Sequence, residues 1–540
     1  MKYLKKVILI VAIGVGVGSG CNTDELQKLN VDPQAINTID LNFMFTSAQL
    51  GAASGGSRGD NRYIDWRTNI RMCGYAIQHL ATTGGEPGDK YVDDAETSSA
   101  PFEFIYADQL KNIGEILKQT SPGGFAEGKN ANMVQAARIL RAFLFHRLTD
   151  YYGSVPYFET MKADQKIFFP KYDKQQDIYM DLLKELEEAT ASLGAADPAD
   201  GFAAADLYYG GDIDKWRKWG YSLMLRLAMR ISNVDLATAN TYVSKAFAGG
   251  VFTSNEDNVV VPMDVGPSLW TNQNGISRAF FPGDGGQVTI LSKTLIDYLK
   301  GPNTGSTADD DPRLMIYTAG IGKWDPVADD DDAINGWTVI NDDPLDQKGM
   351  PNGKNQTQLE AIEGITPPAV LDVNATYSKI NPRLLDKAEP YMLMNYGEVE
   401  LLLAEAAARG IGGVSGTPAS HYDAGVKASM QMWTLYDPIF VVSDAAVNAW
   451  LALNPYTDVE DVYTQLWANK FLNWWEAWSD WRRTGFPELV PTNAAGNVTN
   501  GTIPQRLRYP NAEVAGNPNF AAGASPNDYT TPVWWAGGPN

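Results

Sequence analysis

Apolar residues return at three- and four-residue spacing through much of this chain, a period that belongs to amphipathic helices rather than strands. Between Asn132 and Leu148, the residues Met133, Ala136, Ala137, Leu140, Leu144 and Leu148 share one face. Ile178, Leu182, Leu186 and Ala189 form the next, with Asp181, Lys184, Glu185 and Glu188 on the side given to water. Trp216, Trp219, Leu223 and Leu227 continue the pattern. Met392, Tyr396, Val399, Leu403 and Ala406 repeat it up to Gly410, a residue suited to the left-handed stop of a helix. A further helix is predicted from about His421 to Trp433. Such helices cannot bury their apolar stripes alone, so the predicted fold is mainly α, a tetratricopeptide-like scaffold of stacked helices. The strict period of about 34 residues that marks such repeats is absent. Residues from about 251 to 390 are instead rich in Gly, Asp, Asn and Pro, and read as an irregular, loop-rich lobe on a single domain spanning 41–540.

The N-terminus has a different logic. Lys2, Lys5 and Lys6 precede an apolar run from Val7 to Gly18, long enough for a signal-peptide core and too short to span a bilayer. Gly18-Ser19-Gly20 and then Cys21 follow, an order similar to a bacterial lipobox with Gly18 in place of the usual Leu. The reading is a signal peptide at 1–20, lipidation at Cys21 and a polar tether at 21–40; an ordinary signal peptide ending near a Cys is the alternative. Several acyl chains on one Cys hold a protein stably, because each buried methylene adds about 0.8 kcal/mol. With Cys21 consumed, Cys73 is alone, which excludes a disulfide within the mature chain and leaves stability to the core.

The formal net charge of -22 excludes a nucleic-acid binder, which needs clustered Lys and Arg. The search for catalysis is negative. His79, His146 and His421 belong to no metal-ligand spacing or nucleophile motif, and there is no P-loop, dinucleotide fingerprint or nucleophile elbow. The chain is therefore expected not to be an enzyme and to need no cofactor. Acidic runs at Asp309-Asp310-Asp311, Asp329 to Asp332 and Asp342-Asp343 offer oxygens of the kind calcium takes, but lack EF-hand order. They read as solvated loops, with a structural calcium as the alternative. Trp467, Phe471, Trp474, Trp478 and Trp481 fall on one helical stripe and are predicted core. Tyr91, Trp270, Trp324 and Trp337 instead sit in polar, Gly- and Asp-rich surroundings without periodicity. Exposed there, they would form flat platforms for sugar rings, and they are the candidate ligand-binding residues.

Several segments carry a family resemblance. Leu29-Asn30-Val31-Asp32-Pro33, Leu148-Thr149-Asp150-Tyr151-Tyr152-Gly153-Ser154-Val155-Pro156-Tyr157 and Glu398-Val399-Glu400-Leu401-Leu402-Leu403-Ala404-Glu405-Ala406 occur in order. So do Glu476-Ala477-Trp478-Ser479-Asp480-Trp481-Arg482-Arg483-Thr484-Gly485-Phe486-Pro487 and Pro532-Val533-Trp534-Trp535. Together the sequence resembles the SusD/RagB family of nutrient-binding lipoproteins. That resemblance implies a SusD-like fold and a non-catalytic subunit anchored by lipid in the outer membrane of Bacteroidetes-type bacteria, facing the exterior. It further implies capture of a glycan ligand and delivery to a SusC-like TonB-dependent transporter, or of peptides in a RagB-like uptake complex. Asn22-Thr23-Asp24-Glu25 is similar to the short acidic stretch that sends such lipoproteins outward.

Overall fold

The helical period of the sequence is realised as packed helix pairs in a computed structural model that describes residues 39–54, 62–194, 201–265, 272–281, 286–303, 305–326 and 332–540. The signal stretch 1–20, Cys21, nearly all of the tether, Trp270 and Asp329 to Asp331 lie outside the described residues. Among the described residues no helix is long and apolar enough to cross a membrane.

After α1 (Leu41–Ser54) come α2 (Ala131–Tyr152), α3 (Gln175–Ser192), α4 (Ile213–Arg230) and α5 (Leu236–Gly249), each of the last four packed on the next. A second group holds α6 (Tyr396–Arg409), α7 (Pro418–Gln431), α8 (Val459–Asn469) and α9 (Trp474–Thr484), with α6 against α7, α8 and α4. The chain is mainly α, as its periodicity predicts. Local chemistry sets the ends. The Asp212 side chain accepts from the N–H groups of Asp214 and Lys215 at the start of α4. Thr417 and Ser420 form a capping box with Pro418 as the first helical residue of α7. Gly410 closes α6 at φ +65°, a left-handed angle that a side chain would strain.

Three details differ from the sequence reading. Met392 is not on the α6 face: it lies in strand Tyr391–Met394, because Asn395 caps α6 only from Tyr396 onward. Glu185 is not given to water; it is buried, paired with Arg141 and 3.5 Å from Arg138 on α2. The tryptophan stripe is not one helix. It is broken between α8 and α9, where Leu472 takes φ +72°. Trp467, Phe471, Trp474 and Trp478 are nevertheless buried, while Trp481 is half-buried, its indole N–H on the Pro487 carbonyl at 3.2 Å.

Where α4, α6 and α9 meet, the core is ionic. Arg226 is bidentate to Glu398 at 2.7 Å on both arms. Arg230 pairs with Glu476, Lys470 with Asp480, and Arg483 with Glu405 at 2.6 and 2.7 Å. Every side chain in this set is nearly inaccessible.

Seven short strands and further, shorter helices stand beside these among the described residues. β1 (Val155–Pro156) pairs β2 (Tyr172–Asp173), and β3 (Val259–Val261) pairs β7 (Tyr391–Met394). β4 (Thr318–Trp324), β5 (Trp337–Asn341) and β6 (Ser378–Ile380) form a three-stranded antiparallel sheet in the order β5-β4-β6.

Candidate functional site

The small sheet sets Trp324 directly opposite Trp337 across the β4–β5 pair, so the two side chains project from the same face. Gly322 makes this possible: a Cβ there would come 2.5 Å from the Trp337 ring, which lies against its bare backbone. The Trp324 indole N–H donates to the Ala333 carbonyl at 2.7 Å, and its ring meets Phe281 edge-on at 5.4 Å and 77°. Ala333 is itself held, its N–H donating to Asp386 Oδ1 at 2.6 Å. Burial pushes the Asp386 carboxyl up to about 6, with the Ala333 N–H acting against the shift.

Beside Trp324 opens a cleft of about 260 Å³. Phe280, Val288 and Pro326 give it apolar surface; Gln287, Asp372, Asn374 and Lys379 give it donors and acceptors. Lys323 and Asp372 are 3.6 Å apart at its rim. Lys379, on β6, is only 3% exposed, and its Nζ donates to Asn374 Oδ1 at 3.0 Å. It has no carboxylate within ion-pair distance among the described residues, and burial lowers its ammonium to about 8. One ring face, apolar patches and several polar side chains in one concavity suit a ligand that is flat on one side and hydroxylated at its edges. A larger groove of about 570 Å³ lies elsewhere, beside the exposed Phe168 and Phe169, and its walls are mostly apolar.

Of the residues proposed from sequence, Trp324 lines the cleft and Trp337 shares its sheet face without lining it. Trp270 lies outside the described residues. Tyr91 is not a platform. It is 2% exposed, with its hydroxyl 3.4 Å from the Thr492 N–H and its carbonyl accepting from Val498 at 2.9 Å. The cause is its φ of +55° at the end of the short turn Pro87–Lys90, which folds the ring inward. Gln287, Asn374 and Lys379 were not singled out by sequence. No local pattern marks them, since a Lys in an alternating strand reads as solvent-facing.

None of the three histidines lines the cleft. His79 is buried against Trp467 at 4.5 Å and Phe471 at 5.8 Å, and desolvation lowers its ring to about 3. His146 is buried 3.5 Å from Glu476 and also lowered to about 3 by burial. His421 Nδ1 is 2.6 Å from Glu400 Oε2, a contact that raises it. No group of three or more His, Cys, Asp or Glu among the described residues is placed to hold a metal ion. In the acidic runs, Asp311 is bound to Arg313 at 2.6 Å and Asp343 caps the turn at Pro344.

Comparison with known proteins follows the same lines. A SusD-like family model described as "Starch-binding associating with outer membrane" matches residues 33–510. A chitin-binding protein of known structure is 33% identical, superposing on 92% of this chain and 100% of its own at a TM-score of 0.74. A SusD-like protein of Bacteroidetes is 24% identical over 92% of this chain and 100% of its own, with a TM-score of 0.75. A chitin-binding SusD homologue from Flavobacterium johnsoniae is 22% identical over 92% and 98%, with a TM-score of 0.66. The last two, at that identity, speak to the fold alone. Among curated proteins none matches the sequence.

Proposed function

From a chain that belongs to the SusD-like family, we propose a cell-surface lipoprotein that captures oligo- or polysaccharide and delivers it to a SusC-like TonB-dependent outer-membrane transporter. The observation that carries the reading is Trp324, held by Ala333 and Phe281 at the edge of a cleft lined with amide, carboxylate and ammonium groups. Sugar rings present axial C–H edges to an aromatic face and hydroxyls to such polar groups, and a shallow site of this kind releases what it binds. The 33% identity to a chitin-binding protein supports a β-linked amino-sugar chain as the first ligand to test.

The rest of the reading is proposed on the same footing. Lipid on Cys21 anchors the chain to the outer face of the outer membrane, the tether 21–40 gives it reach, and residues 41–540 act as one binding domain. The protein binds without cutting its cargo, since a subunit that hands on intact chains gains nothing from hydrolysis. Trp324 and Trp337 are the aromatic ligand contacts.

Affinity electrophoresis through gels containing soluble chitin derivatives, starch and other polysaccharides tests the capture step. Retardation by at least one, with the sugar recovered intact after long incubation, is the expected result. Unretarded migration of well-folded protein in every gel would count against glycan capture. Co-purification of a TonB-dependent barrel with the native lipoprotein tests the delivery step.

A further inference from the structure

Lys379 is an anomaly that the fold does not need. A buried ammonium is costly unless paired, yet among the described residues this one has a single acceptor, the neutral Asn374 Oδ1 at 3.0 Å. The nearby carboxylate of Asp372 is committed to Lys323 at 3.6 Å. An ammonium carries three donors, so further hydrogen-bonding capacity is left at the wall of the cleft. Around it stand the other three elements that recognise an acylated amine. Gln287 offers an acceptor oxygen for an amide N–H, Val288 and Pro326 offer apolar surface for a methyl, and Trp324 offers a flat face for the ring.

Resting on the glycan reading above, we infer that Lys379 is the specificity-determining donor of the cleft, reading the carbonyl oxygen of an acetamido group on the bound sugar. A carbonyl is the strongest neutral acceptor a sugar chain carries, and a site built to donate to it discriminates against the analogue that lacks it. The cleft thus selects N-acetylated amino-sugar chains over chains with the same linkage that carry only hydroxyls.

The test is calorimetric titration of the full-length mature protein with two β-1,4-linked hexasaccharides, one of N-acetylglucosamine and one of glucose. The wild type should prefer the acetylated chain by about tenfold or more. Lys379→Met, which keeps the apolar stem, should bind both chains alike, with a wild-type circular dichroism spectrum and melting transition reporting that the variant is folded. The wild-type preference should shrink as pH rises through about 8, where burial places the loss of the ammonium charge; Lys323, Asp325 and Asp372 are the other titratable groups lining the cleft. A preference that survives in Lys379→Met overturns the assignment and leaves glycan binding intact. So does a wild type that binds both chains equally. Failure of the wild type to bind either chain, or any polysaccharide of the gel panel, overturns the glycan reading itself.

Discussion

Trp324 is fixed at three points: its indole N–H on Ala333, its ring against Phe281 and its backbone paired to Trp337. Replacing it by Ala should weaken glycan binding by about 1 kcal/mol, the scale of one aromatic contact, with little change in melting temperature. Titration calorimetry and scanning calorimetry on the same preparation check both halves. A stability loss as large as that of a core tryptophan would reassign the residue to packing. Trp337 lies on the same face beyond the cleft, so Trp337→Ala should weaken long chains and leave short oligosaccharides unchanged. Tyr91 shows why residue context misleads. The polar run around it looks like an exposed loop, but a single left-handed backbone angle turns the ring into the interior.

At the scale of elements, helices end where their side chains can satisfy the first free N–H groups. Thr417→Ala removes one arm of the α7 capping box and should cost about 1 kcal/mol, read as a shift in urea midpoint without a change in slope. The break between α8 and α9 matters more. The stripe from Trp467 to Trp481 predicts one long helix, because spacing alone cannot show that Lys470 to Asn473 form a turn. Burial tolerates the break, since Trp467, Trp474 and Trp478 still face inward from two helices and Phe471 from the turn between them. Trp474→Ala should cost about 3–5 kcal/mol as a core truncation, again by urea unfolding. Helix existence was thus legible from the period, while helix ends and strands such as Tyr391–Met394 were not. Those depend on caps and on partners distant in sequence.

For the whole molecule, the ionic core explains which segments identify the family. Glu476, Asp480 and Arg483 of the Glu476–Pro487 segment are joined to Arg230, Lys470 and Glu405 from three other places in the chain. Breaking such a network strands a buried charge, so Glu476→Ala should destabilise by about 3–5 kcal/mol. Titration also acts on the whole fold. Burial raises the Asp65 carboxyl to about 7 and that of Glu389 to about 9, so the native state favours their protonated forms. Their contribution is complete below the unfolded values near 4 and is lost as pH rises through about 7 and about 9. His79 and His146, lowered to about 3, behave oppositely. Their contribution is complete above an unfolded value of about 6.5 and falls as pH drops toward 3. Melting temperature should therefore decline on both sides of a maximum. Glu389→Gln should flatten the alkaline limb between pH 5 and about 9 in scanning calorimetry; an unchanged slope would show that Glu389 does not contribute to it.

The sequence by itself determined the mainly helical fold and the family. Amphipathic period is written within one or two turns, and the ionic core forces particular residues into recognisable segments. It also carried the expectation of lipid on Cys21, which Cys21→Ser should test by releasing the protein from the membrane fraction. Only the tertiary structure decided the cleft. Its walls come from Phe280, from Gly286 to Thr289, from Lys323 to Pro326 and from Asp372, Asn374 and Lys379; the register of β4 with β6, and the pairing of Thr289 and Ile290 with β6, set these stretches side by side. The register of β4 shifts at irregular positions in its pairings with β5 and β6, and no local pattern states where. Trp324 could be suspected from its surroundings, but Lys379 beside it could not, because burial of a lysine is a property of what packs around it.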